Sequence, residues 1–285
     1  MTVNLRDLYR ENAMMDEGGR VVRRFFRTGA DTGKGLNYVI IGLVALFYVW
    51  FCAMIVRSHE DMSMDISLFQ MVVMTMILPA TVFTAISGER ERSTWDALAL
   101  TRLTPGQILA GKLGWRIALV LILMAVFAGP VWLSHMSGVH NVHPGLHVAL
   151  AQVNLLTWFV LVVCLGLFVS ANTKRSVTSV AVLYAVLLFT LILIPILISM
   201  FDLHTEISRV EDVMDVFAWL YTKLHPFITL DALSQNAAWS NQGDHMEPWS
   251  PVQWATILPG FYVAQAAFLL YLTHRSLKRL CRGRG

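Results

Sequence analysis

Long apolar runs, with no helical or strand periodicity, dominate the pattern of hydrophobic and polar positions along the chain. A helix that crosses the hydrocarbon core of a membrane needs roughly 20 apolar residues, whereas the strands of a membrane barrel alternate at period two. Six runs meet the helical requirement and contain no Asp, Glu, Lys or Arg: 38–56, 66–86, 117–134, 148–171, 176–201 and 252–273. Four of them also contain a proline, which predicts a bend: Pro79, Pro130, Pro195 and Pro259. The pattern therefore predicts an all-α membrane protein with six transmembrane helices.

The polar segments around these runs divide the chain into three parts. We expect an N-terminal segment over 1–37, a transmembrane domain over 38–273 and a basic tail over 274–285. Two connections within the transmembrane domain are long, one over 88–114 and an acidic one over 202–251. The acidic connection predicts one amphipathic helix, because apolar residues recur there at spacings of three and four: Ile207, Val210, Met214, Phe217, Tyr221 and Leu224.

Composition and charge agree with a membrane location and add an orientation. Of the 285 residues, 56% are hydrophobic and 14% are charged, whereas soluble domains carry roughly a quarter charged residues. Lys and Arg concentrate in the N-terminal segment, the second and fourth connections and the tail, and the opposite side has only Arg57, Arg209 and Lys223. Because cytoplasmic connections are enriched in Lys and Arg, we expect both termini in the cytoplasm. We expect no nucleic-acid partner.

The N-terminal segment contains a short amphipathic pattern. In a helix, its apolar residues would share one sector and its arginines the opposite one: Arg20, Val21, Val22, Arg23, Arg24, Phe25, Phe26 and Arg27. This pattern predicts a helix that lies in the inner headgroup layer. The alternative is a basic tether held by anionic lipid. The nearby glycines, Gly29, Gly33 and Gly35, lack the spacing of a phosphate-binding loop, so no nucleotide site is expected on this chain.

The connection over 88–114 contains two helix-start signals. Ser93 followed by Asp96 resembles a weak capping box and predicts a short helix through about Thr101. Thr104 and Gln107, with proline between them at the first helical position, form a stronger one. The connection is therefore expected to be a short helix, a turn and a second helix that continues into the third span.

Three motifs in this connection resemble the permease subunits of type-two ABC transporters. They are Gly-Glu-Arg-Glu-Arg-Ser-Thr from Gly88, Leu-Thr-Arg-Leu-Thr-Pro from Leu100, and Ile-Leu-Ala-Gly-Lys ending at Lys112. The resemblance implies an exporter of the bacterial inner membrane with the interfacial helix beside the connection and short extracytoplasmic helices before the last span. It also implies a separate cytoplasmic ATPase that binds ATP and magnesium, a second or related permease copy, contact with membrane lipids, and no catalytic residue or cofactor on this chain.

The resemblance makes this connection the contact with the ATPase. The residues whose positions match the ATPase-contacting motif of that family are Glu89, Arg90, Glu91, Arg92, Ser93, Trp95, Leu98, Leu100 and Arg102. The charged ones are expected to pair at the ATPase contact, and the alternative is a solvated helix end. Trp95 is expected on an exposed helix, where it either docks into a partner or packs on the membrane surface or on this chain's own helices. Because the family usually has glycine at Ser93, and serine tolerates a positive φ poorly, Ser93 is expected to cap a helix.

Three other functions were weighed against this one. A metal site at His140, His143 and His147 would lack cysteine and is interrupted by proline, so surface histidines are favoured. An intramembrane enzyme would need catalytic groups that the apolar runs do not contain. A secondary transporter or channel normally retains ionisable groups within the membrane, and the runs have none.

Overall fold

The computed structural model describes residues 34–58, 60–95, 103–138, 145–202, 220–221, 223–239 and 251–282. About 91% of the structure is helical, with no strand in the described part, which confirms the all-α class. The helices, numbered in chain order, are α1 Lys34–Ser58, α2 Ser63–Val82, α3 Ser87–Glu91, α4 Pro105–Ser137, α5 Gly145–Asn172, α6 Ser176–Leu188, α7 Ile194–Asp202, α8 Pro226–Trp239 and α9 Pro251–Arg282. The predicted interfacial helix at 20–27 and most of the predicted helix at 207–224 lie outside the described residues.

Five helical stretches are long and apolar enough to cross a membrane. They are Ser63–Glu91, Pro105–Ser137, Gly145–Asn172, Ser176–Ile198 and Val252–Cys281. Helix α1 contributes a shorter apolar stretch, Ala45–Ser58. The prediction of several membrane-spanning helices is therefore confirmed, while the exact number of six stays a prediction.

Helix α5 lies at the centre of the bundle and packs against α9, α2 and α4. Gly166 allows α5 to approach α2 closely, because a Cβ atom there would lie 2.8 Å from Cγ1 of Val82. Two side chains of α5 also bond across the bundle: Trp158 Nε1 donates to the Thr75 hydroxyl at 3.3 Å, and Asn154 Nδ2 donates to the Ala255 carbonyl at 2.9 Å. Close approach and interhelical hydrogen bonds are the usual stabilising contacts between helices in a membrane.

The start of α4 confirms the stronger of the two predicted capping boxes. The Gln107 amide donates to the Thr104 hydroxyl at 3.3 Å, and the Thr104 amide donates to the Gln107 side-chain carbonyl at 2.8 Å. Helix α4 then continues for 33 residues without a break. At 1.5 Å per residue it is about 50 Å long, which exceeds a hydrocarbon core of about 30 Å. Its first turns therefore extend beyond the apolar run at 117–134.

The fifth apolar run is helical but not regular. A π-helical turn over Phe189–Leu193 joins α6 to α7, and Pro195 is the second residue of α7. Proline has no amide hydrogen, so the carbonyl one turn earlier loses its usual donor. A widened turn beside Pro195 is a common way to accommodate such a loss, and such turns frequently occur at functional sites.

Candidate functional site

The connection after α2 packs against the adjoining ends of α4, α5 and α6. We call the contact of residues 83–95 with these three helix ends the junction. Its centre is Ser170 of α5, whose hydroxyl accepts hydrogen bonds from the amides of Ile86 at 2.9 Å and Ser87 at 3.0 Å. The same hydroxyl donates to the Phe83 carbonyl at 2.9 Å. Ser170 thus satisfies two backbone amides at the start of α3 and bonds a carbonyl that follows α2.

An ion pair connects α3 to α4. Lys112 Nζ lies 2.5 Å from Glu89 Oε1, and only 2% of the Lys112 residue surface is exposed. Removing one member of such a pair leaves the other partly buried and without a partner. Glu89, predicted to pair with the ATPase, is therefore already paired within this chain.

The next two charges of α3 bind the facing ends of α5 and α6. Arg90 donates from Nη1 to the carbonyls of Ala171 at 3.2 Å and Thr173 at 2.9 Å, at the end of α5. Glu91 accepts a hydrogen bond at 3.0 Å from the amide of Ser176, the first residue of α6. A cation is favourable at a helix C-terminus and an anion at a helix N-terminus. Each charge therefore has the sign that its helix end prefers.

Ser93 ends α3, and its backbone is not the extended one of an N-cap, so the predicted N-capping role is wrong. Its φ is 57°, in the left-handed region. The Ser93 amide bonds the Arg90 carbonyl at 3.2 Å, and the Thr94 amide bonds the Glu89 carbonyl at 2.9 Å. These two bonds form a Schellman motif, in which the left-handed position is usually glycine. The positive φ that argued against serine at this position is the conformation that Ser93 adopts.

Trp95 belongs to the hydrophobic core of this chain. Only 3% of its surface is exposed, and its indole Nε1 has no hydrogen-bond partner within the described residues. The alternative that Trp95 packs on this chain is therefore the one observed. Arg92 is exposed in the turn after α3. Three other residues were predicted to contact the ATPase, and they lie outside the described part of the chain: Leu98, Leu100 and Arg102.

The histidine region gives no support to a metal site. His140 and His143 lie outside the described residues, and His147 is buried at the start of α5, so a surface position is wrong for that residue. No group of three potential ligands occurs within the part of the chain that the structure describes. His135 instead lies 3.3 Å from Asp61. Burial alone would raise the pKa of Asp61, but hydrogen bonds with Ser63 and His135 outweigh it, so the pKa is lowered.

The sequence did not single out the residues that receive these bonds. Ser170, Thr173 and Ser176 are small polar residues at a helix end and in a short turn, with no motif of their own. The order of the helices could have indicated these residues. Consecutive membrane helices alternate in direction, so the second and fourth connections lie at the same end of the bundle. A short turn between α5 and α6 therefore had to lie near the connection after α2.

The apolar helices and their packing define the chain as a multi-pass helical membrane protein. No family model matches the chain, and no curated protein matches it in sequence. The resemblance to ABC permeases therefore depends on the three motifs of the connection over 88–114 and on the layout of the apolar runs.

Proposed function

We propose that this chain is the permease subunit of an ABC exporter, which forms the substrate path and is driven by a separate cytoplasmic ATPase. The ATPase would bind ATP and magnesium. The proposal includes six spans, a bacterial inner-membrane location and both termini in the cytoplasm. The junction is the observation that supports it.

The junction has the mechanical properties that coupling requires. Glu89 joins α3 to α4, Arg90 joins it to the end of α5, and Glu91 joins it to the start of α6. Closely packed protein interiors transmit displacement because they have little free volume to absorb it. A force on α3 would therefore move three membrane helices together, which a solvated loop would not do.

The composition of the spans favours an external energy source. The six apolar runs contain no Asp, Glu, Lys or Arg, whereas proton- and ion-coupled transporters normally retain ionisable residues within the membrane. An ATPase bound outside the membrane supplies energy without such groups. This argument favours the ABC class over a secondary transporter or a channel.

The bonds within the chain support a smaller set of residues for the proposed ATPase contact. Glu89, Arg90 and Glu91 bond within the chain, so we propose that they stiffen the junction and do not form the contact itself. Arg92 is exposed beside them and is the described charge best placed for a partner. We further propose that a second permease copy covers part of the exposed apolar surface of α1 and α6, and that lipid covers the remainder.

Co-purification of the full chain from its native membrane, in a mild detergent, tests this function. We expect a soluble protein with an ABC nucleotide-binding sequence in a fixed ratio to the chain, and ATP hydrolysis by the complex. Arg92→Glu should reduce the recovered ATPase by about tenfold or more, since a desolvated like-charge contact costs on the order of 2 kcal/mol. Lys278→Glu, on the exposed end of α9, is the matched control and should leave the complex intact.

Two outcomes would contradict the proposal. Recovery of the chain with no nucleotide-binding partner would remove the ABC assignment. Equal recovery of the ATPase with Arg92→Glu and Lys278→Glu would show that residues 88–95 do not form the contact. Thermal unfolding of each variant shows that the substituted chain is folded.

A further inference from the structure

The last turns of α9 carry a patch of positive charge. Its five residues line a recess of about 620 Å³ on the surface of the bundle: Tyr271, His274, Arg275, Lys278 and Arg279. They recur at spacings of three and four residues, so they share one face of the helix. We call these five residues the basic patch. None of them belongs to the junction, so the patch needs an explanation of its own.

The charges of the basic patch are open to a ligand. Arg275, Lys278 and Arg279 are all exposed. No ion pair or hydrogen bond joins these three cations to another side chain within the part of the chain that the structure describes. Like charges at these spacings on a helix repel each other. An anion bound among them would therefore be favourable.

The basic patch lies at the depth of the lipid headgroups. The last apolar run ends at residue 273. At a rise of 1.5 Å per residue, Arg275 lies about 3 Å beyond this end and Lys278 about 8 Å beyond it. The headgroup layer adds roughly 5 to 8 Å to each side of the hydrocarbon core. These cations are therefore level with the phosphates of the surrounding lipids.

The same face of α9 becomes apolar toward the middle of the membrane. Phe268 and Tyr271 are each 61% exposed. Phe268, Tyr271 and Arg275 follow one another at spacings of three and four, so they line up along the helix. Tyrosine is typical of the membrane interface, because its ring is apolar and its hydroxyl is polar. The face thus changes from apolar to amphipathic to cationic, which matches the acyl chain, the glycerol and the phosphate of a phospholipid.

We propose that the basic patch binds the headgroup phosphate of an anionic phospholipid, whose acyl chains lie along the exposed face of α9. Three cations without a carboxylate partner favour a headgroup with a net negative charge over phosphatidylcholine, whose amine offsets its phosphate. Lipid that merely covers apolar surface would not distinguish between these headgroups. This site is independent of the proposed ATPase contact, so either proposal can fail without the other.

Native mass spectrometry of the purified full chain tests this selectivity. The chain, in a neutral detergent, is incubated with equal amounts of phosphatidylglycerol and phosphatidylcholine that have the same acyl chains. We expect bound phosphatidylglycerol to exceed bound phosphatidylcholine by about tenfold or more, since each cation near a headgroup contributes about fivefold in affinity. Equal binding of the two lipids would overturn the site.

A pair of double variants tests which residues bind the headgroup. Arg275→Gln with Arg279→Gln removes two charges of the patch and should lower the affinity for phosphatidylglycerol by about tenfold or more. The matched control is Lys174→Gln with Arg175→Gln, which removes two charges from the exposed turn between α5 and α6. The control should change this affinity by less than about twofold, because separated surface charges are screened by salt. Equal losses in the two double variants would show a diffuse attraction and would overturn the site. Thermal unfolding shows that each variant is folded.

Two further measurements separate a lipid from other anionic partners. Inorganic phosphate in excess should not displace phosphatidylglycerol, since it has no acyl chain to bind the apolar face, and displacement would overturn the lipid as the occupant. Lys278→Glu should weaken binding of phosphatidylglycerol and still retain the ATPase on co-purification. Loss of the ATPase in Lys278→Glu would assign the patch to that protein and overturn the lipid site.

Discussion

The junction and an apolar pocket of about 410 Å³ both involve α5 and α6, but they differ in what holds the helices together. The pocket lies between α5, α6 and α9. In the junction, Ser170 and the charges of α3 bond to backbone groups of neighbouring helices. In the pocket, the wall is almost entirely apolar, with Leu161, Leu187 and Leu269 among its residues. The two regions lie only a few helical turns apart along α5.

This difference shows how one pair of helices can be stiff at one end and adaptable further along. Directional bonds to several helices fix the geometry of the junction, because any shift leaves buried groups without partners. Apolar contacts have no preferred direction, so the pocket can change shape at lower cost. Substitutions in the junction and in the pocket test this difference, and the largest loss of stability is expected for the ion pair of the junction.

Loss of the ion pair should have the largest effect. In Lys112→Met, the half-buried Glu89 carboxylate keeps its charge without its cation, so we expect the free energy of unfolding to fall by about 3 kcal/mol. Chemical unfolding in detergent measures this loss. The double variant Glu89→Gln with Lys112→Met removes both charges and should be more stable than Lys112→Met alone. A double variant that is less stable would contradict the assigned pair.

Two buried serines should respond differently to loss of the hydroxyl. Ser170→Ala leaves the Ile86 and Ser87 amides without their acceptor and should cost about 2 kcal/mol. Ser179 of α6 is equally buried, but its hydroxyl has no partner within the described residues. Ser179→Ala is the matched control and should change stability by less than about 0.5 kcal/mol. Equal losses would show that burial, and not bonding, determines the effect.

Ser93→Gly should stabilise the protein. A left-handed backbone costs a non-glycine residue roughly 1 kcal/mol, part of which is offset because glycine adds entropy to the unfolded chain. We therefore expect a gain of about 0.5 kcal/mol and a higher midpoint of thermal unfolding. Ser93→Ala retains the Cβ atom and should give no gain. A lower midpoint for Ser93→Gly would contradict the Schellman turn.

The pocket should make stability depend weakly on pH. Burial lowers the pKa of His225, which lines the pocket, so the folded state favours the neutral imidazole. The stability that this preference adds is complete above the pKa of unfolded histidine, near 6.5. As the pH falls below that value, the unfolded chain binds a proton that the folded chain does not, and stability decreases. Thermal unfolding between pH 7.5 and 5 should show this slope in the native chain. In His225→Gln the slope should be smaller, and an unchanged slope would contradict a buried, neutral His225.

Features that depend on local sequence could be predicted, and those that depend on tertiary contacts could not. The apolar runs indicated where membrane helices lie, and four consecutive residues from Thr104 were enough to predict the start of α4. Trp95 follows a charged segment, so nothing local indicated that the fold buries it. Ser93 was misassigned because serine is a common N-cap residue, whereas the left-handed residue that ends a helix is usually glycine. The bonds made by Arg90 depend on carbonyls about 80 positions away along the chain.

The pairing of Arg90 and Glu91 with two helix ends also has a consequence for biosynthesis. Helix α3 is synthesised before α5 and α6, so Arg90, Glu91 and the amides of Ile86 and Ser87 lack these partners while the first part of the chain inserts. They find their partners only when the α5–α6 hairpin arrives beside them. The contacts of the junction with α5 and α6 therefore form late in assembly. A chain interrupted before α5 would keep these groups unsatisfied.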